Sequence, residues 1–190
     1  MKNILLFVIC AVIFSGCLGF KELPVEYDYS YYGKFKRYKT FNLMSQPVLS
    51  SDSSMENSII ESAIVSRMRF LGYRQTTKKP NLLIAYKIYY DSLNFNGYNQ
   101  PDIEDWVKNP TINEDYEEKD VSMKTGTLLV QLYDRKQNKL IWNGYATSLY
   151  GDIHFENKRQ IRNAVISILD KYRFFADGFI QQGQVVEDAQ

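Results

Sequence analysis

Acidic side chains and a single histidine are the groups in this sequence that could support acid–base chemistry. Hydrolysis of this kind would require carboxylates from the segment between Ser92 and Met123 to converge with His154, the only histidine, in one pocket. The simpler interpretations are a solvated loop for the acidic segment and a loop residue near a helix start for His154. The acidic residues of the segment are Asp102, Glu104, Asp105, Glu114, Asp115, Glu117, Glu118 and Asp120.

Several familiar catalytic and metal-binding arrangements do not occur in the sequence. Zinc sites of the usual kinds draw on several histidine or cysteine ligands, whereas this chain has one histidine and two cysteines. The acidic spacing around Asp102 lacks the turn glycine and the distal glutamate of an EF-hand. No Gly-x-Ser-x-Gly, His-Glu-x-x-His or glycine-rich phosphate loop is present. We therefore expect no metal, no cofactor and no catalytic residue.

Aromatic residues of the same segment could instead bind a ligand. Phe95, Tyr98 and Trp106 could form an exposed platform on which a sugar ring stacks. In the alternative interpretation, Ile103, Trp106 and Val107 follow helical spacing and dock a short helical turn on the domain. The sequence leaves both alternatives open.

The start of the chain predicts a chemical role for one cysteine. Lys2 precedes an unbroken apolar run, Ile4–Phe14, and the run is followed by Ser15-Gly16-Cys17. This order is typical of a secretory signal. As a helix the run would reach about 16 Å, too short to cross a hydrocarbon core of about 30 Å. Ser-Gly-Cys resembles the lipobox of bacterial lipoproteins, which predicts removal of residues 1–16 and attachment of lipid to Cys17.

The alternative for Cys17 is a free thiol in an ordinary secreted protein. Because Cys10 lies within the predicted signal, the mature chain would have no second cysteine for a disulfide. An unpaired exposed thiol is a liability in an oxidising compartment, so lipid is the favoured interpretation. A diacylated cysteine holds a protein on a membrane stably. Residues 18–22 carry no dense acidic run, and we expect a protein of the outer membrane that faces the periplasm.

The charge balance bears on partners other than the membrane. The signal contains one of the 23 basic residues and none of the 22 acidic ones, so the mature chain has no net formal charge. A neutral chain gives no reason to expect nucleic acid as a partner.

Hydrophobic periodicity divides the mature chain into one domain with flanking segments. Residues 17–35 are expected to form the lipid anchor and a tether, 36–180 a single domain, and 181–190 a frayed tail. The predicted elements are a strand at Lys36–Leu43, a helix at Ser54–Leu71 ending at Gly72, a strand at Leu82–Tyr90, a hairpin of Thr125–Tyr133 with Leu140–Leu149, and a helix at Asn157–Tyr172.

This order of elements predicts an α+β fold in two layers. We expect about four strands in an antiparallel or mixed sheet, with both helices packed on one face because each helix has a single apolar stripe. Trp142 lies in the second strand of the hairpin, where packing is a simpler role than ligand binding.

Six short stretches between residues 36 and 172 carry a family resemblance. They are Tyr38-Lys39-Thr40-Phe41, Phe70-Leu71-Gly72-Tyr73, Pro80-Asn81-Leu82, Gly126-Thr127-Leu128, Tyr133-Asp134 and Leu140-Ile141-Trp142-Asn143-Gly144. Together they resemble a family of bacterial lipoproteins, domain of unknown function 4136 (DUF4136). Asn81 and Gln131 stand where acidic residues are usual in that family. The resemblance implies an envelope lipoprotein of unsettled activity and supplies no catalytic residues.

Taken together, the sequence favours a non-catalytic envelope lipoprotein that binds or scaffolds another envelope component. Its expected partners are the membrane, through lipid on Cys17, and an envelope protein or glycan. The alternatives are an envelope hydrolase that uses carboxylates of residues 92–123, and a glycan binder that uses Phe95, Tyr98 and Trp106.

Overall fold

A computed structural model describes residues 23–44, 54–110, 117–123, 126–147, 157–176 and 178–179. The predictions for Cys17, the signal, His154 and the tail 181–190 lie outside the described residues. Within them, no helix combines the length and the apolar character that a membrane span needs.

Ten strands and three α-helices make up the described part of the chain, together with a short 3-10 turn at Phe35–Arg37. The strands are β1 (Val25–Tyr29), β2 (Thr40–Leu43), β3 (Arg74–Gln75), β4 (Leu82–Tyr89), β5 (Leu93–Tyr98), β6 (Glu118–Met123), β7 (Thr127–Asp134), β8 (Lys139–Ala146), β9 (Phe174–Phe175) and β10 (Gly178–Phe179). The helices are α1 (Ser54–Phe70), α2 (Ile103–Lys108) and α3 (Lys158–Asp170).

Six of the strands form one mixed sheet in the order β1–β8–β7–β4–β2–β3. The strand pairs that involve β2 are parallel, and the other pairs are antiparallel. Helices α1 and α3 cover one face, which we call the helix face. The predicted α+β class is confirmed, but the sheet has six strands rather than about four, and a third helix is present.

The two long helices form where their apolar stripes predict them. On α1, Ile60, Ile64 and Met68 are fully buried at helical spacing. Gly72 ends this helix with a φ of 84°, a left-handed conformation that glycine adopts without strain. Asn157 caps α3, since its side-chain oxygen accepts hydrogen bonds from the N–H groups of residues 159 and 160.

The first strand of the sheet lies inside the range predicted as a tether. β1 pairs antiparallel with β8, from Val25 opposite Ala146 to Tyr29 opposite Trp142, and forms one edge of the sheet. The acidic residues Glu26 and Asp28 alternate with its apolar ones, which gives the segment the composition of a solvated tether. The described domain therefore includes residues before Lys36.

The segment between Ser92 and Met123 is not simply a solvated loop. β5 and β6 pair antiparallel and extend the paired strands β4 and β7 beyond a bend. At this bend the N–H of Gly126 donates to the carbonyl of Tyr89 at 3.0 Å. Helix α2 follows β5. We call residues 93–110 and 117–123 the arm. The arm extends to the β1 edge of the sheet, where Gln100 contacts Tyr29.

Trp142 belongs to the core, as the packing interpretation predicts. Its ring is buried on the helix face and lies 5.5 Å from the ring of Tyr172. A Cβ added at Gly144 would overlap this ring and would lie 2.9 Å from a methyl carbon of Ile168. Glycine is needed at position 144 because the indole of Trp142 occupies the space that a side chain would fill.

Candidate functional site

The arm is fastened to the edge strand β1 by one side-chain amide. The Oε1 atom of Gln100 accepts from the N–H of Tyr29 at 3.0 Å, and its Nε2 atom donates to the carbonyl of Tyr29 at 2.8 Å. The hydroxyl of Tyr29 donates to the carbonyl of Pro101 at 3.0 Å. Gln100 therefore occupies backbone groups that an edge strand would otherwise offer to another strand.

Beyond this point the arm packs helix α2 into the core. Ile103 is fully buried, Trp106 is 8% exposed, and Val107 packs partly buried against the same cluster. The ring of Trp106 lies 5.5 Å from that of Tyr29 and 6.5 Å from that of Phe35. The docked helical turn, one of the two sequence alternatives, is therefore the arrangement found.

The three residues of the predicted aromatic platform do not share one exposed surface. Trp106 lies in the core, whereas Tyr98 is 52% exposed at the end of β5. Phe95 pairs with Val121 across the arm, and its side chain lies outside the described part of the structure. Of the three, the described structure places only Tyr98 where a ligand could reach it.

The acidic residues around α2 have structural partners. Asp102 caps the helix by accepting from the N–H of Glu104 at 2.9 Å. The carboxylate of Glu104 lies 3.3 Å from the guanidinium of Arg173. Glu114, Asp115 and His154 fall outside the described residues. Among the residues that are described, no three acidic, histidine or cysteine side chains are grouped as a metal site would need.

The sheet face opposite α1 and α3 carries a row of polar side chains. Register places Asp28 of β1 opposite Asn143 of β8, and Asn143 opposite Gln131 of β7. Their chain neighbours point into the core, so these three side chains point to the other face, which we call the open face. The hydroxyl of Tyr133 donates to Oε1 of Gln131 at 3.2 Å. We call Asp28, Asn143 and Gln131 the polar row.

A depression of about 180 Å³ lies where the arm meets the β1 end of the polar row. We call it the arm crevice. The Oδ1 atom of Asn143 is buried and has no hydrogen-bond donor within the described structure. The polar lining comes from Asp28, Ser30, Asn96, Tyr98, Gln100 and Asn143.

The carboxylate of Asp28 is held at the base of the arm. Burial raises its pKa above the usual value, although the N–H of Tyr98 and the charge of Lys119 act in the opposite direction. Lys119 itself lies 3.0 Å from a carboxylate oxygen of Glu26. A Cβ added at Gly97 would lie 2.9 Å from Oδ2 of Asp28, so a side chain at this position would displace the carboxylate or the arm.

A match over most of the chain identifies the family. Residues 25–172, from the start of β1 to just beyond α3, match the family model described as Domain of unknown function (DUF4136). The chain belongs to this family. The resemblance to DUF4136 is therefore confirmed, and the matched residues include β1. No match was found among curated proteins.

Two solved structures share the fold of this DUF4136 domain. A DUF4136 family protein from Bacteroides thetaiotaomicron has a TM-score of 0.53 at 19% identity, and the match covers 80% of this chain and 96% of that one. A PDZ domain protein from Parabacteroides distasonis has a TM-score of 0.52 at 15% identity. That match covers 79% of this chain but 35% of the other. At these identities the likeness concerns the fold alone.

A second depression of the domain lies on the outer surface of α1 and α3. It measures about 500 Å³, and Phe70 at its rim is 68% exposed. Arg67 forms an ion pair with Asp170 and places its guanidinium carbon 4.6 Å from the ring centre of Phe70. This ion pair links the two helices, and the groove beside it is a surface of mixed apolar and basic character.

Sequence patterns alone do not single out the polar row. Asp28 lies in a segment that has the composition of a tether. Asn143 and Gln131 occupy the polar positions expected in any hairpin with one buried face. The signal that could reveal them is the alternation within β1, β7 and β8, since alternate residues of paired strands share one face. Their convergence depends on strand register, which the sequence does not specify for β1.

Proposed function

We propose that this chain is a lipid-anchored protein of the cell envelope whose domain binds another envelope component without turning it over. The observation that carries the binding role is the arm crevice, a depression of about 180 Å³ between the arm and the open face to which Asp28 and Asn143 contribute polar groups. A bound molecule with hydroxyl or N–H groups would pair with these side chains.

The chemistry of the crevice supports binding rather than hydrolysis. General acid–base hydrolysis commonly uses two carboxyl groups, or a carboxyl group and a histidine, on opposite sides of a bond. Asp28 is the only carboxylate among the residues that line the crevice. The described carboxylates of Asp102 and Glu104 serve as a helix cap and an ion-pair partner, respectively.

The anchor would hold this binding domain close to the bilayer. Five residues separate Cys17 from Leu23, the first residue that the structure describes. Six peptide links reach at most about 20 Å. With lipid on Cys17, Leu23 would therefore remain within about 20 Å of the membrane surface, and β1 begins two residues later. A ligand bound beside β1 would be a component of the envelope at that depth.

The anchor is tested by expressing the full chain in bacteria and measuring its mass and its membrane partition. We expect the wild-type chain to lose residues 1–16, to gain the mass of lipid and to sediment with membranes. Cys17→Ala should lose both the lipid mass and the sedimentation. A Cys17→Ala chain that still carries lipid would disprove the anchor.

The binding role is tested by crosslinking in intact cells, followed by purification of the tethered chain from membranes. We expect a retained component that is lost with Asn143→Leu and kept with Asn42→Leu. Asn42 is a matched control because it lies on the same open face, opposite Leu83, away from the crevice. Equal recovery with both variants, or no component above a misfolded control, would contradict the proposed site.

A further inference from the structure

The polar row and the arm crevice together indicate the chemical class of the ligand. We propose that they bind a neutral, hydroxyl-rich molecule, a sugar ring of an envelope glycan, with its hydroxyl groups on Asp28, Asn143 and Gln131. This inference rests on the proposed function, in which the crevice is the binding site. Neither the fold nor the family supplies this ligand class.

The side chains of the polar row both donate and accept hydrogen bonds. A carboxylate accepts hydrogen bonds, and a side-chain amide both donates and accepts them. Asp28, Asn143 and Gln131 follow one another across three adjacent strands, so neighbouring groups stand about 5 Å apart. A sugar ring carries hydroxyl groups of both capacities on neighbouring carbons, so it can pair with both the carboxylate and the amides of this row.

The charge of the crevice lining bears on which ligands can bind. Asp28 is the only charged side chain among the residues that line the crevice. Lys119, the cation that acts on Asp28, is 3.0 Å from Glu26 and does not line the depression. A phosphate, sulfate or carboxylate ligand would meet the carboxylate of Asp28 without a lining cation to offset it. The crevice therefore disfavours anionic ligands.

The volume of the crevice limits the size of the group that it can hold. A cavity of about 150 Å³ holds a benzene ring, so the 180 Å³ of the crevice suits a single six-membered ring whose substituents extend toward solvent. Leu140 lines the same depression and offers apolar surface to the C–H groups of such a ring.

A protein ligand would bind most directly as an additional strand at the β1 edge. Gln100 already occupies both the N–H and the carbonyl of Tyr29. A strand could not pair with β1 at this position unless the arm moved away. The arm thus leaves side chains of the open face, rather than the backbone of the edge strand, as the recognition groups.

The test uses the purified full chain in a sugar-free detergent and three trisaccharides of different charge. The probes are the neutral trimer of N-acetylglucosamine, the cationic trimer of glucosamine and the anionic trimer of galacturonic acid. Binding is measured by titration calorimetry, together with the chemical shifts of side-chain amides. We expect the neutral trimer to bind, and the anionic trimer to bind at least tenfold more weakly or not at all.

Side-chain variants then locate the bound sugar. Asn143→Leu and Gln131→Leu should each weaken binding of the neutral trimer by about tenfold, the effect of one lost hydrogen bond. Asn42→Leu should leave the affinity unchanged. Circular dichroism and urea unfolding show whether each variant is folded. The Gln131 variant keeps the test decisive if Asn143→Leu does not fold.

Each remaining result overturns a defined part of the proposal. Preference for the glucosamine trimer would assign the site to cations that pair with Asp28. Failure of all three trimers, while Asn143→Leu still abolishes recovery of a membrane component, would reject the glycan and retain the proposed function. Failure of both experiments would reject the crevice as a binding site.

Discussion

The side-chain amide of Gln100 replaces a neighbouring strand at Tyr29, with one hydrogen bond of 3.0 Å from the backbone N–H and one of 2.8 Å to the backbone carbonyl. This pair of bonds connects the arm to the sheet. It also shields an edge strand whose backbone N–H and carbonyl groups could otherwise pair with another chain. The arm crevice is formed on one side of this connection, so the geometry of the site depends on it.

Replacement of Gln100 should loosen the arm without unfolding the sheet. Gln100→Ala removes two partly buried hydrogen bonds, and we expect a loss of about 1–3 kcal/mol in the free energy of unfolding. Amide hydrogen exchange should increase in β5, in α2 and at Tyr29. Asn99→Ala is the control, since Asn99 is an exposed neighbour in the arm. Unchanged exchange in α2 would show that Trp106, rather than Gln100, holds the arm.

Gly97 sets the distance between the arm and Asp28. Gly97→Ala would place a carbon 2.9 Å from the carboxylate oxygen, closer than Cβ contacts normally come, so the carboxylate of Asp28 or the arm must shift. We expect about 1–3 kcal/mol of destabilisation and a loss of binding at the crevice. The measurements are urea unfolding and ligand titration. Asn94→Ala, at an exposed position of β5 outside the crevice lining, should leave stability and binding nearly unchanged, and an equal effect of both substitutions would contradict the close-contact argument.

The sequence predicts α1, α3, β4 and the β7–β8 hairpin because each has a strong period of its own. It does not predict β1, because Glu26 and Asp28 face the arm and the open face rather than the core. Nor does it predict the arm as a whole. The burial of Trp106 depends on contacts with Tyr29 and Phe35, which are more than 70 residues away in the chain. Local periodicity does not encode contacts of this range.

The contact between Trp142 and Gly144 predicts a coupled pair of substitutions. Gly144→Ala should destabilise the domain by about 1–3 kcal/mol, because the added methyl group overlaps the indole and approaches Ile168. Trp142→Phe removes part of that overlap. In a double-mutant cycle, Gly144→Ala should therefore cost less in the Trp142→Phe background. Purely additive losses in urea unfolding would show that the ring does not limit this position.

Asp134 should contribute an acid-sensitive part of the stability. The residue is 4% exposed, and burial alone would raise its pKa. Hydrogen bonds from the backbone and side chain of Gln137 and from the hydroxyl of Tyr38 outweigh burial and lower the pKa below 3.8. A lowered folded-state pKa means that the contribution is complete above about pH 4 and is lost as the pH falls through the folded-state value.

Asp134→Asn tests this contribution. The amide cannot accept all of the bonds that the carboxylate accepts, and we expect a loss of about 1–3 kcal/mol at pH 7. The difference in unfolding free energy between variant and wild type should shrink as the pH falls below about 4. Asp91→Asn, at an exposed position, is the control. A difference that stays constant down to pH 2 would contradict the lowered pKa.

Asp28 should show the opposite dependence on pH. Burial raises its folded-state pKa above 3.8, so its ionised form opposes folding at neutral pH, and this cost disappears as the pH falls through the raised value toward 3.8. Asp28→Asn keeps an acceptor for the N–H of Tyr98 and removes the buried charge. We expect the variant to be more stable than wild type at pH 7, with the advantage vanishing below about pH 4. Urea unfolding across this range measures the effect, and a variant that is less stable at pH 7 would show that the Lys119 charge outweighs burial.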